Sequence, residues 1–146
     1  GRDGARTPMP WAADAPQAGF SCANRTWLKV DRDHTARAID RQVGDPSSMI
    51  SYTQQLLAQR RSLPALISGP SELLETPTEI VAFVRSSSAG DVLCAFNLAD
   101  HSVDWAPPSA FTEAAIVANE RETGSGHGIA TTMPRRSGYW ATTSGG

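Results

Sequence analysis

The chain has 146 residues, with 13 Lys+Arg against 15 Asp+Glu and a net charge of −2. That near balance leaves no basic excess to neutralise phosphates, which excludes nucleic acid as the expected partner, and it supplies no polybasic membrane anchor. Apolar residues make up 40% of the chain, enough for a modest core, yet the continuous apolar runs are too short to cross a bilayer. Cys22 and Cys94 stand far apart; they could form one disulfide, but a pair without a framework or zinc spacing is more often two reduced thiols.

Residues 1–44 are dense in Gly, Pro, Asp and Arg and hold no sustained helical or strand period. A stretch of that length without regular structure is unusual inside a compact domain. Trp11, Phe20 and Trp27 are equally unusual for a disordered tail. The expectation is a structured loop whose packing surface is partly missing. The start Gly1-Arg2-Asp3, with neither Met nor a targeting pattern, reads as a piece of something longer.

A helix is predicted over 46–61. Asp45 can cap it, and Pro46 suits a first helical position, where its missing N–H is not needed. Met49, Ile50, Thr53, Leu56 and Leu57 recur at helical spacing and predict one buried stripe. Arg60 and Arg61 favour the last turn, and Pro64 ends the helix.

Beyond Gly69-Pro70 the period changes to two. Residues 79–85 alternate, with Ile80, Ala82 and Val84 on one face and Val81 and Phe83 on the other. Residues 91–98 are apolar on both faces, as a central strand would be. The turn-rich Ser86-Ser87-Ser88-Ala89-Gly90 makes these two an antiparallel hairpin. Weaker strands are predicted at 101–105, 114–118, 129–133 and 138–142, together suggesting a small antiparallel sandwich.

The chemistry-bearing residues are sparse. His34, His101 and His127 have no ligand spacing, so no metal or cofactor is expected. Gly124-Ser125-Gly126-His127-Gly128 lacks the lysine and following helix of a phosphate loop. Asn24-Arg25-Thr26 fits a glycosylation sequon, a tripeptide common by chance. Asp31/Asp33 and Glu120/Glu122 are expected to be solvated. Trp105, Tyr139 and Trp140 are either core or a sugar-stacking platform.

Three blocks carry a family resemblance. Gly1-Arg2-Asp3-Gly4-Ala5-Arg6-Thr7-Pro8-Met9-Pro10-Trp11 resembles a segment late in the α-glucosidase branch of the α-amylase superfamily. Ala18-Gly19-Phe20-Ser21 and Trp27-Leu28-Lys29-Val30 follow in the family's order, although Thr26 and Lys29 stand where prolines are common. Gln42, Asp45-Pro46, Ser47-Ser48, Tyr52, Leu56, Leu57, Arg60, Arg61, Pro64, Ala65, Leu66 and Gly69 complete the match.

The resemblance implies the end of a (β/α)₈ barrel (an active-site loop and the last barrel helix) over 1–69. An antiparallel β-sandwich domain would occupy 70–146, giving a mainly β chain with one long helix. Such retaining enzymes use two carboxylates about 5–5.5 Å apart. In family order these lie upstream of the Gly1 block, so no catalytic residue is assigned here. A whole barrel takes about 250 residues, more than this chain could hold.

Arg2 is the one substrate-binding residue carried over, holding the terminal glucose beside a carboxylate from an early barrel loop. Asp3, Arg6, Met9 and Trp11 are read as scaffold of that loop, through ion pairing and burial of Trp11. The implied parent is a bacterial α-glucosidase acting on terminal α-linked glucose of short oligosaccharides, with the missing barrel as this chain's partner. It would be cytoplasmic, with the periplasm as the alternative location.

Other readings are a glucosyl-transferring relative of trehalose synthase or sucrose isomerase type, a non-catalytic carbohydrate-binding module, and a catalytically silent transporter partner. The chain alone is expected to be inactive, and prone to associate through its uncovered apolar surface.

Overall fold

The computed structural model describes residues 2–112, 114–119 and 131–143, with side chains omitted at 118 and 119. The chain divides between Gln55 and Leu56 into two units.

In the first unit, regular structure comes in single turns. Arg2–Ala5 and Pro16–Gly19 are 3₁₀ turns. Helix α1 (Arg32–Thr35) is capped by Asp31, whose carboxylate accepts the Asp33 N–H at 2.9 Å. Helix α2 (Ile39–Gln42) follows the completely buried Ala38. Asp31 and Asp33 are exposed, as expected of solvated residues.

Helix α3 (Met49–Ser62) starts three residues later than the Asp45-Pro46 signal predicts. The carboxylate of Asp45 is engaged in a tight turn, accepting from the Ser47 N–H and hydroxyl at 2.8 Å each. Ser48 takes over the capping position: its Oγ accepts the Ser51 N–H at 3.2 Å, and its carbonyl accepts the Tyr52 N–H at 3.0 Å. The predicted buried stripe is absent. No residue of α3 is buried, and Met49 and Leu57 are 68% and 46% exposed.

The second unit begins within α3. Pro64, expected as a stop, also opens helix α4 (Pro64–Ser68) from its first position. Strands β1 (Ser71–Leu73), β2 (Ile80–Ser87), β3 (Gly90–Asn97), β4 (Val103–Asp104), β5 (Ala115–Asn119), β6 (Thr132–Met133) and β7 (Gly138–Thr142) follow. Five of them form an antiparallel sheet in the order β1-β2-β3-β7-β5. The other two, β4 and β6, pair Val103 with Met133 and Asp104 with Thr132.

The predicted hairpin is β2–β3, closed by Ser88-Ala89 between the paired Ser87 and Gly90. Gly90 sits at φ 121°, a left-handed value that favours glycine. Among the described residues, strands lie only within 71–142. A mainly β description therefore fits the second unit and not the first, and the expected sandwich is one five-stranded sheet with a two-residue ladder.

Both faces of β3 are covered, which explains its unbroken apolar run. One face packs Ile80, Ala82, Leu93, Ala95, Tyr139 and Ala141 with Phe111, Ala114 and Met133 from outside the sheet. The opposite face packs Val92 and Cys94 against Ala65 and Leu66 of α4, flanked by Phe83, Phe96 and Trp140. Gly69 permits the close approach of the chain to β2: a Cβ there would lie 2.2 Å from the Ser86 carbonyl. Arg85 Nε donates to the Gly69 carbonyl at 2.8 Å.

This arrangement overturns the aromatic platform. Tyr139 and Trp140 are successive strand residues and point to opposite faces. Tyr139 is buried in one cluster with Trp105 packed against it, whereas Trp140 borders the other. No common row of exposed rings exists among them.

Candidate functional site

The segment carrying the specific motif lies wholly in the first unit. Arg2 is exposed at the start of a 3₁₀ turn, and the Arg6 N–H donates to the Asp3 carbonyl at 3.0 Å. Asp3 and Arg6 thus meet through their backbones. Trp11 is 52% exposed, contrary to the expected burial, and Met9, Phe20 and Trp27 are 50%, 50% and 95% exposed. Apolar side chains of this size are more often covered.

From Pro10 the chain makes a closed loop. The N–H groups of Trp11 and Ala12 both donate to the Ala18 carbonyl, at 2.8 and 3.0 Å. Two internal turns, Ala15 to Ala12 at 3.1 Å and Ala18 to Ala15 at 2.9 Å, complete it. Closing it forces three successive residues into left-handed backbone: Gln17 at φ 51°, Ala18 at 50° and Gly19 at 70°. For residues with a Cβ this costs about 1–2 kcal/mol each. Gly19 relieves the third position, where a Cβ would also lie 3.2 Å from Ala12 Cβ. This gives the sequence block Ala18-Gly19 a physical reason.

The loop is clasped to α2. The first N–H groups of that helix, on Ile39 and Asp40, donate to the carbonyls of Pro10 and Trp11 at 3.0 and 3.1 Å. Helices leave such groups unpaired, and here the loop satisfies them. In return, Asp40 offers both carboxylate oxygens to the Ala13 N–H at 3.1 and 3.2 Å. A carboxylate in the first turn also suits the helix dipole. Arg41 reaches Asp14 at 2.7 Å, but with side chains 54% and 88% exposed that pair contributes little.

Gln42 links onward, donating to the Arg37 carbonyl at 2.6 Å and accepting the Ile50 N–H at 3.3 Å. Sequence reasoning missed Asp14, Asp40 and Arg41 because their partners lie 27 residues away along the chain.

Within each unit, the remaining described candidates stand apart from the clasp. His34 is half-buried and His101 is exposed, 3.3 Å from Asp100. Asn24 is exposed, its carbonyl taken by Gln17 Nε2 at 2.9 Å. Residues 120–130, holding Glu120/Glu122, the glycine-rich loop and His127, lie outside the described residues. Among the described residues no group of three His, Cys, Asp or Glu could hold a metal ion, and no helix is long and apolar enough to cross a membrane. Both cysteines are free. Burial pushes the Cys94 thiol up to about 11, with the Arg85 charge pulling it down, and burial alone raises the Tyr139 phenol well above its usual range.

Comparison with known proteins gives this segment its context. Residues 1–69 match the family model described as the α-amylase catalytic domain. The chain is 41% identical over 102 residues to a probable alpha-glucosidase of Rhizobium meliloti (strain 1021), covering 70% of this chain and 18% of that protein. It is 36% identical over 107 residues to the trehalose synthase/amylase TreS of Mycobacterium tuberculosis (strain CDC 1551 / Oshkosh), covering 66% of this chain and 18% of that protein. The crystal structure of the trehalulose synthase MutB from Pseudomonas mesoacidophila MX-45 superimposes with a TM-score of 0.82 at 26% identity, over 97% of this chain and 26% of that one.

Proposed function

Because this chain belongs to the α-amylase superfamily of glucosidases, we propose that it is the C-terminal part of a retaining glycoside hydrolase that removes terminal α-linked glucose from short oligosaccharides. The observation that carries the reading is the catalytic-domain match over residues 1–69, which contains the clasped loop and Arg2. The aligned portion amounts to 18% of the Rhizobium meliloti relative, so most of such a protein lies outside the match.

In this reading residues 1–69 complete a barrel, and 70–146 form a domain that covers its last helix. The two carboxylates of the retaining mechanism, about 5–5.5 Å apart across the scissile bond, belong to the remainder of the barrel. Arg2 supplies binding. A guanidinium is planar and permanently charged, and it can grip a carboxylate at two points while donating to a sugar hydroxyl. It orients the glucose without entering proton transfer. The exposure of Met9, Trp11, Phe20, Trp27 and Met49 in the first unit, and of Leu57 in the second, is what side chains covered by the rest of a barrel would show.

A second reading, glucosyl transfer or isomerisation, is favoured by the likeness to a trehalose synthase and a trehalulose synthase. Product analysis separates the two, since maltose and sucrose would yield free glucose in one case and rearranged disaccharides in the other. The chain alone should not hydrolyse p-nitrophenyl α-glucoside, whereas the protein that includes the barrel should. Hydrolysis by the isolated chain, with contaminating enzyme excluded, refutes the assignment of the reactive acids to the barrel.

A further inference from the structure

The clasp points to a residue with a role of its own. We propose that Asp40 is a positioning residue for sugar binding, acting through Arg2; this rests on the reading of Arg2 given above. The chain between them is short and stiff. Thr7-Pro8-Met9-Pro10 joins the Arg2–Ala5 turn to the clasped loop. Two prolines in four residues lock their own φ angles and hold Thr7 and Met9 extended. Pro8 is buried, so the stretch is held in place as well as stiff. Whatever fixes Pro10 and Trp11 therefore fixes the direction from which the Arg2 turn emerges.

What fixes them is α2. Pro10 and Trp11 give their carbonyls to Ile39 and Asp40, and the Asp40 carboxylate holds the neighbouring Ala13 N–H with both oxygens. The two backbone bonds have no side chain to vary. Asp40 is the member of the clasp whose side chain bonds loop backbone, since Arg41 reaches only the exposed side chain of Asp14. The same carboxylate lies in the turn whose N–H groups hold the loop, so both halves of the exchange meet at Asp40, and its half is charge-assisted.

The test uses the protein that carries this chain together with its barrel. Asp40→Ala should raise KM for an α-glucoside about fivefold with kcat nearly unchanged, the loss of one charge-assisted hydrogen bond at an exposed site. Asp40→Asn, which keeps one acceptor oxygen, should fall between Asp40→Ala and the parent. It carries the comparison if the alanine variant fails to fold.

Because Asp40 acts through Arg2, the Asp40→Ala/Arg2→Ala double variant should bind no worse than Arg2→Ala alone. Amide exchange at Ala13 should quicken in Asp40→Ala. If Arg2→Ala raises KM while Asp40→Ala leaves it unchanged, or if the two effects multiply, the positioning role is overturned and the Arg2 reading stands. If Arg2→Ala itself leaves KM unchanged, the Arg2 reading falls and the positioning role with it.

Discussion

Asn97 closes the edge of the main core, and replacing it with leucine should be among the costlier substitutions in this chain. It is 1% exposed at the end of β3. Its Nδ2 faces the carbonyls of His101, Pro134 and Met133 at 2.9, 2.9 and 3.0 Å, and its Oδ1 accepts the Ala99 N–H at 2.9 Å. Two amide hydrogens thus serve three acceptors. Leucine has nearly the same shape and removes every one of these bonds. The Pro134 carbonyl keeps the Ser137 hydroxyl at 2.7 Å. Met133 stays paired with Val103 across the β4–β6 ladder, while Ala99 and His101 lie nearer to water.

The two amide hydrogens and one amide oxygen lose their bonds, and at about 1 kcal/mol for each the loss amounts to about 3 kcal/mol. For a chain of this size that is roughly 6–12 °C in Tm. Urea unfolding followed by tryptophan fluorescence measures it, since Trp105 packs against this core. A loss below ~0.5 kcal/mol would show that the polar knot contributes nothing to holding β3 to the β4–β6 ladder.

Three further outcomes follow from the same core. The Tyr139 hydroxyl is buried with no hydrogen-bond partner among the described residues, so Tyr139→Phe should be neutral or stabilising by about 1 kcal/mol; a destabilisation above that in the same urea titration contradicts it. Gly138→Ala would put a Cβ 2.5 Å from Phe96 Cδ1 and should destabilise by roughly 1–3 kcal/mol, visible as a lowered Tm in near-ultraviolet dichroism. A thiol-reactive dye at neutral pH should label the exposed Cys22 at once and the buried Cys94 only on unfolding.

The pH dependence has a definite sign. The Cys94 thiol is raised from 9.0 to about 11 in the folded chain, so between those values the unfolded chain binds fewer protons. Stability is intact below pH 9 and falls as the pH climbs towards 11, by up to ~3 kcal/mol. A stability profile in Cys94→Ala no flatter than the parent's over that range would remove this account.

The β-hairpin was legible because its signals are local. Alternation at Ile80, Ala82 and Val84 set the two faces of β2, and the two-sided apolar run at Val92–Ala95 marked the centre of the sheet. The boundaries 138–142 needed only the Gly138 break and the Tyr-Trp pair, yet their opposite facing decides the fate of the sugar platform and follows from period two alone. What misled was competition between equivalent local choices. Asp45 and Ser48 can each cap a helix, and nothing in a linear reading says that Asp45 is taken by Ser47. Strand β1 was invisible because Ser71, Glu72 and Leu73 are all exposed and carry no pattern.

The candidate site was harder to read for a different reason. Arg2 could be named only through resemblance, since a single exposed arginine has no periodicity or spacing to betray it. The α3 positions Met49 and Leu57 carry the spacing of a buried face and are nonetheless exposed, so period alone did not decide burial there. Asp40 carries no local signal at all. Its value arises only when Ala13, 27 residues earlier, is folded beside it. The site therefore divides into residues that sequence alone marks as apolar, residues that only a family marks as functional, and one carboxylate that only the folded backbone marks as a support. Of these, the last is the one whose substitution tests whether the fold of residues 10–41 serves binding or merely its own compactness.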